Sequence, residues 1–399
     1  MNDFKTKLTH VWMKFKSTEG FNTLMGSLFA IAVGLLLGII IIVIVNPSSA
    51  GEGIFRLMKG SFNHPRGGWI GIGQLLYRST PIIFTGLAVA FAFKTGLFNI
   101  GASGQYTVGL FAAALVGILG DKLGGLQWIV AVFAGMAAGF IWGAIPGIFK
   151  AFFNVHEVIT SIMFNYIGMF LVNGLLNSNF LRAQVVNGTT NRTNVVDQAA
   201  RTPYGPFEKI FPTAGLDISI LIAIGVAIVL FLVLNKTVFG RELKSVGLNR
   251  DAAKYSGVNE KSSLVLSMAI AGMVAGLGGA LFILSPSTRN LGNAYPIENV
   301  ILGTGFDGIP VALLANSNPL GVILSTLFVG YITLGGLSMQ SVGFVSEIVD
   351  IIIGVILYFS AFALIMTQYL GKIKDRIKKK KEEQQLTTSP DTNIKEGEN

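Results

Sequence analysis

The sequence predicts an all-α fold, a polytopic transmembrane helical bundle of about ten spans with a possible inverted repeat, and three observations lead there. Hydrophobic residues make up 51% of the chain against 13% charged, and the mean hydropathy is +0.62, far above what a water-exposed domain needs. Apolar runs recur along the chain, most of them long enough to cross about 30 Å of hydrocarbon. The 49 glycines suit helices that approach closely in lipid, where packing rather than the hydrophobic effect holds them together.

Candidate spans fall at 24–46, 80–97, 103–120, 127–149, 157–176, 217–235, 263–285, 299–316, 318–337 and 345–368. The first follows Lys5, Lys7, Lys14 and Lys16 in a cytoplasmic tail, 1–23. It resembles a secretory signal, but its apolar core is too long for one and is read as a retained span. An even number of spans places both tails on one side. Taking that side as the cytoplasm puts 20 Lys and Arg inside and 10 outside, which the positive-inside rule favours. The second and eighth spans carry Lys94 and Asp307 among several glycines and read as broken or re-entrant. The external connections 47–79 and 177–216 carry Pro, Gly, Asn and Thr and read as loops that could cap the outer mouth or dock a partner. The transmembrane domain then covers 24–368, followed by a basic and then polar cytoplasmic tail, 369–399. Val155–His156–Glu157–Val158–Ile159 at the start of span five aligns with Val345–Ser346–Glu347–Ile348–Val349 at span ten. That offset of five spans is what an inverted duplication would produce.

The net charge of +9 is concentrated in the tails and short connections, so it reads as a topology signal and not as a nucleic-acid footprint. The chain has no cysteine, and its three histidines lack metal-ligand spacing. It contains no Gly-x-x-x-x-Gly-Lys-Ser/Thr loop, so any ATP-driven step needs ATP and Mg bound by another polypeptide.

The inner loop 236–261 holds six cations and two glycine stops. Asn249 is placed to cap a short helix from Arg250 to Tyr255, with Gly257 ending it. Such a helix is marginal alone and needs a partner surface or the membrane face. A basic interfacial helix that only fixes topology is the alternative.

The spacing Asp251–Ala252–Ala253 followed by Gly257 is similar to the coupling-loop motif of ABC importer permeases, with aspartate where glutamate is usual. Phe98–Asn99–Ile100–Gly101–Ala102–Ser103–Gly104–Gln105 resembles the signature of permeases that serve nucleoside importers fed by basic-membrane-protein-type lipoproteins. Asn154 to Tyr166, Gly240–Arg241–Glu242–Leu243 and Gly305–Phe306–Asp307–Gly308–Ile309 extend the resemblance over roughly 75–368. It implies a multi-pass permease of a bacterial plasma membrane. Its partners would be a cytoplasmic ATP-binding subunit, a second permease subunit and an extracytoplasmic substrate-binding lipoprotein, with membrane lipid around it. It implies nucleosides as cargo, with simple sugars and branched-chain amino acids as neighbouring possibilities. Gly240, Arg241, Asp251, Ala252, Ala253 and Gly257 would couple the chain to the ATPase.

Ionisable residues in the spans are costly and mark candidate pathways, here Asp307, Glu157, Glu347 and Asp350. Asn99, Gln105, Asn165 and Asn173 offer neutral donors and acceptors, and Phe98, Phe164, Tyr166 and Phe306 offer flat faces for a base. The candidate substrate pathway is therefore Phe98, Asn99, Gln105, Asn165, Tyr166, Phe306, Asp307 and Glu347. Each also has a reading as interhelical glue or lipid-facing bulk. An ion-coupled secondary transporter using the buried acids is the rival from another class. No catalytic dyad supports a membrane-embedded enzyme.

Overall fold

The computed structural model describes residues 19–286 and 293–359. The chain divides into two units, 37–354 and 1–36 together with 355–399. In the smaller unit Gly34 lies against Ile356, leaving no room for a side chain at position 34.

Long helices dominate: α1 (Glu19–Val45), α3 (Gly68–Lys94), α4 (Ala102–Leu119), α5 (Gln127–Phe153), α6 (Glu157–Leu176), α7 (Ser219–Lys236), α10 (Glu260–Leu284) and α12 (Pro319–Met339). Eight helices among the described residues are long and apolar enough to cross a membrane. Shorter helices are α2 (Ala50–Lys59), α8 (Val238–Leu248), α9 (Arg250–Tyr255) and α11 (Thr304–Leu314). A last helix, α13, is described over 347–359, so the end of the tenth span lies outside the described residues. The two tails, described only from residue 19 and up to residue 359, lie mostly outside them as well.

Three sequence expectations change. The second span is not broken: α3 is one 27-residue helix, about 40 Å long, beginning twelve residues before the expected start. Pro81 leaves the Tyr77 carbonyl without its usual helical donor yet does not end the helix. The connection 47–79 is not loop throughout, because α2 occupies part of it and α3 starts at Gly68. The connection 177–216 likewise holds a seven-residue helix, Asn179–Val185, and a two-residue hairpin of β1 (Val186–Asn187) and β2 (Arg192–Thr193). The eighth span does fall short. Helix α11 has 11 residues, about 16 Å, too little to cross the hydrocarbon, and the left-handed residues Asn316 and Ser317 turn the chain into α12.

The packing explains the glycine content. Helices α5 and α10 cross antiparallel, with Gly135, Gly139, Gly143 and Gly147 at four-residue spacing facing Ala280, Gly276, Gly272 and Met268. A Cβ on Gly143 would come within 2.5 Å of the Met268 carbonyl, and one on Gly276 within 2.5 Å of the Gly135 carbonyl. Small-residue contacts of this kind let backbones touch and gain dispersion where lipid gives no hydrophobic drive. Helix α3 is buried on every side from Ile83 to Ala92, which makes it central to the bundle. By contrast Ile40, Ile44 and Val45 on α1 and Phe133 and Ile141 on α5 stay exposed, as lipid-facing residues should.

Connections gather at two ends. At the hairpin end, Thr193 N donates to Tyr295 O (2.9 Å), Asp197 N to Gly117 O (2.9 Å) and Trp69 Nε1 to Ile210 O (2.6 Å). At the loop end, Lys94 Nζ donates to Asn316 O (3.2 Å), and Thr95 Oγ1 meets Ser267 Oγ.

Candidate functional site

A cavity of about 400 Å³ opens in the half of the bundle toward the hairpin end. Helix α3 lines it with Gln74, Tyr77, Arg78 and Thr80, α10 with Phe282, α11 with Thr304 and Asp307, and α12 with Thr333. Asp217 and Ser219 at the start of α7, and Ser285 after α10, close its rim. Thr80 donates to Leu76 O and Thr333 to Val329 O within their own helices, so each hydroxyl keeps its acceptor side free.

The three charged lining residues differ in what they touch. Asp217 is buried: its Oδ2 accepts from Thr202 Oγ1 (2.5 Å) and its Oδ1 from Ser219 N (2.9 Å). Arg78 and Asp307 are exposed, and neither side chain has a hydrogen bond or ion pair among the described residues. Size, apolar walls and a few convergent polar groups are the features of a small-molecule site.

The opposite end carries the loop 236–261. Thr237 caps α8 by accepting from Gly240 N (3.0 Å), and Gly240 itself has no room for a Cβ beside the Val233 carbonyl. Asn249 caps α9 by accepting from Ala252 N (3.0 Å), Gly257 follows with φ +85°, and Asn259 caps α10 by accepting from Ser262 N (3.1 Å). The short capped helix is the one its residues anticipate. Ala253 is fully buried and holds α9 in place, while Ala252, Asp251 and Arg241 are exposed. Leu248 and Tyr255 stand 88% and 93% exposed, an unusual position for large apolar side chains on a free surface.

The structure scatters the eight candidate pathway residues. Only Asp307 lines the cavity. Asn99 and Gln105 bond each other reciprocally, Nδ2 to Oε1 at 2.9 Å and Nε2 to Oδ1 at 3.1 Å. Asn165 accepts from Gly104 N (2.7 Å) and donates to Ile100 O (3.0 Å). These buried amides thus tie the start of α4 to itself and to α6. Phe98 packs edge-on against Phe93, 4.9 Å between centroids. Tyr166 and Phe306 are 51% and 36% exposed, and Glu347 is exposed at the start of α13, within 3.4 Å of the Ser346 hydroxyl. Sequence reasoning passed over Arg78 and Asp217. Starting the second span at residue 80 left Arg78 outside the membrane, although the apolar residues of Gly68–Leu76 already carry the helix outward.

Residues 71–361 match the family described as the permease component of branched-chain amino acid transport systems. A guanosine ABC transporter permease protein of Bacillus subtilis is 36% identical over 354 residues, 88% of this chain and 96% of that protein. A nucleoside ABC transporter permease protein of Lactococcus lactis is 33% identical over 350 residues, 87% and 93% of the two chains. A glucose ABC transporter permease protein of Haloferax volcanii is 30% identical over 298 residues, 72% and 75%. No solved structure gives a significant match.

Proposed function

This chain belongs to the permease-component family of branched-chain amino acid transport systems, and we propose that it is the membrane subunit of an ATP-driven importer carrying nucleosides. Family membership makes it a multi-pass transport subunit that works with an ATP-binding subunit and a substrate-binding protein. ATP and Mg are bound by the partner and not by this chain. The observation that carries the nucleoside reading is the near full-length likeness to two permeases named for guanosine and nucleosides. The cavity supports it with aromatic Tyr77 and Phe282 beside polar groups able to bond a base and a ribose. Free sugar is the second reading, favoured by the relative named for glucose.

In this reading both tails and the loop 236–261 are cytoplasmic, the cavity opens outward, and a substrate-binding lipoprotein delivers cargo at the hairpin end. A second permease subunit completes the pathway. The ATPase grips α8 and α9 through the exposed Arg241, Asp251, Ala252, Leu248 and Tyr255, while the buried Gly240 seats α8 against the end of α7. Its closure on ATP moves this knob, and the backbone contact of Gly247 in α8 with Lys94 and Gly96 at the end of α3 passes the motion to the helix that lines the cavity.

The test is uptake of labelled uridine, guanosine, glucose, ribose and leucine by cells carrying the complete system, with and without an ATPase subunit disabled for hydrolysis. Nucleoside uptake that stops with the ATPase is the expected result. Uptake of glucose or leucine uncontested by any nucleoside overturns the substrate class. Uptake that ignores the ATPase overturns the mechanism.

A further inference from the structure

Charge inside an apolar bundle is expensive and is normally paired with another protein group or faces a wet path. Arg78 and Asp307 are the two charged residues exposed to the cavity, and neither has a hydrogen-bond or ion-pair partner among the described residues. Asp217, the third charged lining residue, is already held by Thr202 and Ser219. Water in the open cavity solvates the first two, so both are free to exchange it for a ligand.

Their chemistry is complementary. Guanidinium has only donors, in a planar fork, and carboxylate has only acceptors. A ligand that satisfies both must carry acceptors at one place and donors at another. Their depths also differ. Thr85 Oγ1 donates to Thr304 O (2.9 Å), which pins the start of α11 against α3. Asp307 follows one turn along α11, while Arg78 lies seven residues before Thr85, about 10 Å nearer the hairpin end along the helix axis. A molecule of two joined rings reaches between such groups more readily than one ring does.

We propose that Arg78 and Asp307 are the substrate-reading residues of this cavity: Asp307 accepts hydrogen bonds from the vicinal hydroxyls of a ribonucleoside, and Arg78 donates to the carbonyl and ring-nitrogen edge of its base. The proposal rests on the nucleoside reading and adds residue roles and a preference to it. A nucleoside monophosphate brings roughly 1.5 to 2 further negative charges into a site that already holds two carboxylates, and is rejected. A deoxynucleoside leaves acceptor positions of Asp307 unfilled, and is carried more slowly.

Maximal uptake rates of a ribonucleoside and its 2′,3′-dideoxy analogue are compared in wild type, Asp307→Asn and Arg78→Gln, with the assembled amount of each variant measured by an epitope tag. At saturation the binding protein is loaded with either substrate, so a changed ratio belongs to the permease. Wild type should prefer the ribonucleoside by roughly tenfold to a hundredfold, and Asp307→Asn should bring that ratio close to one. Arg78→Gln should slow both sugars alike and narrow the spread between bases. Equal rates for the two sugars in wild type overturn the role of Asp307 without needing any variant to fold. An unchanged ratio in a well-assembled Asp307→Asn protein does the same, and unchanged rates in Arg78→Gln overturn the role of Arg78. If no nucleoside is carried in wild type, the substrate class itself has failed.

Discussion

Gly247 in α8 and Gly96 just beyond α3 meet backbone to backbone: a Cβ at Gly247 would lie 2.7 Å from the Lys94 carbonyl, and one at Gly96 would lie 3.2 Å from the Gly247 Cα. Gly96 also needs φ +73°, a conformation side chains rarely adopt. The loop is thus keyed directly into the helix whose earlier half, from Gln74 to Thr80, lines the cavity. Gly247→Val should leave the bundle assembled but weaken this contact, so that basal ATP hydrolysis by the complex continues while nucleoside uptake falls at least tenfold. Full uptake by Gly247→Val would show that motion reaches the cavity by another route.

Ala252 is exposed and Ala253 fully buried, so they answer differently to substitution. Ala252→Glu should disturb only the docking surface: membrane insertion stays normal, and the ATPase subunit is no longer retained on purification. Ala253→Glu places a charge against α9's own support and should also lower thermal stability, by several kcal/mol. Retention of the ATPase by Ala252→Glu at wild-type strength would remove α9 from the interface.

The all-α bundle, most span positions and the capped helix Arg250–Tyr255 were legible because each rests on local signals: long apolar runs, and an Asn cap followed by a Gly stop. The cavity was not. Asn99, Gln105 and Asn165 stood out as polar residues at membrane depth, yet sequence gives no sign of whether two amides face a void or face each other. Arg78 lies in a stretch broken by Gly71, Gly73 and Pro81, and only its packing reveals one continuous helix. Which helices meet is a tertiary property; α5 and α10 stand more than a hundred residues apart in the chain.

The crossing of α5 and α10 makes a second class of prediction. At Gly139 a Cβ would fall on the Gly272 carbonyl, so even Gly139→Ala forces the helices apart. Overpacking of this kind costs about 1–3 kcal/mol, and Gly139→Leu should cost more. Thermal unfolding in detergent should rank wild type above Ala above Leu. Gly174 meets nothing within 4 Å, and Gly174→Ala is the control, expected to be neutral or slightly stabilising.

The proposed orientation rests on the cation asymmetry of the connections and is open to labelling in a chain with no cysteine of its own. Cysteines placed at Lys254 and at Asn187 lie at opposite ends of the bundle, and both sites are exposed. An impermeant thiol reagent applied to intact cells should modify position 187 and spare position 254. The reverse pattern would invert the topology and move the ATPase to the hairpin end.

The amide pair of Asn99 and Gln105 separates bracing from passage. If the pair holds the start of α4 in place, removing one member strands the other in a fully buried setting and costs about 1–3 kcal/mol. Removing both then costs less than the two single losses added together, because no polar group is left without a partner. Asn99→Leu, Gln105→Leu and the double variant should therefore be less than additive in thermal unfolding. Uptake should fall only as far as the amount of assembled protein falls, with the preference among nucleosides unchanged. A substrate-lining role predicts the opposite: little effect on unfolding and an altered preference among bases. An additive double variant with a changed substrate order would return Asn99 and Gln105 to the pathway and place its narrow point at the foot of α4.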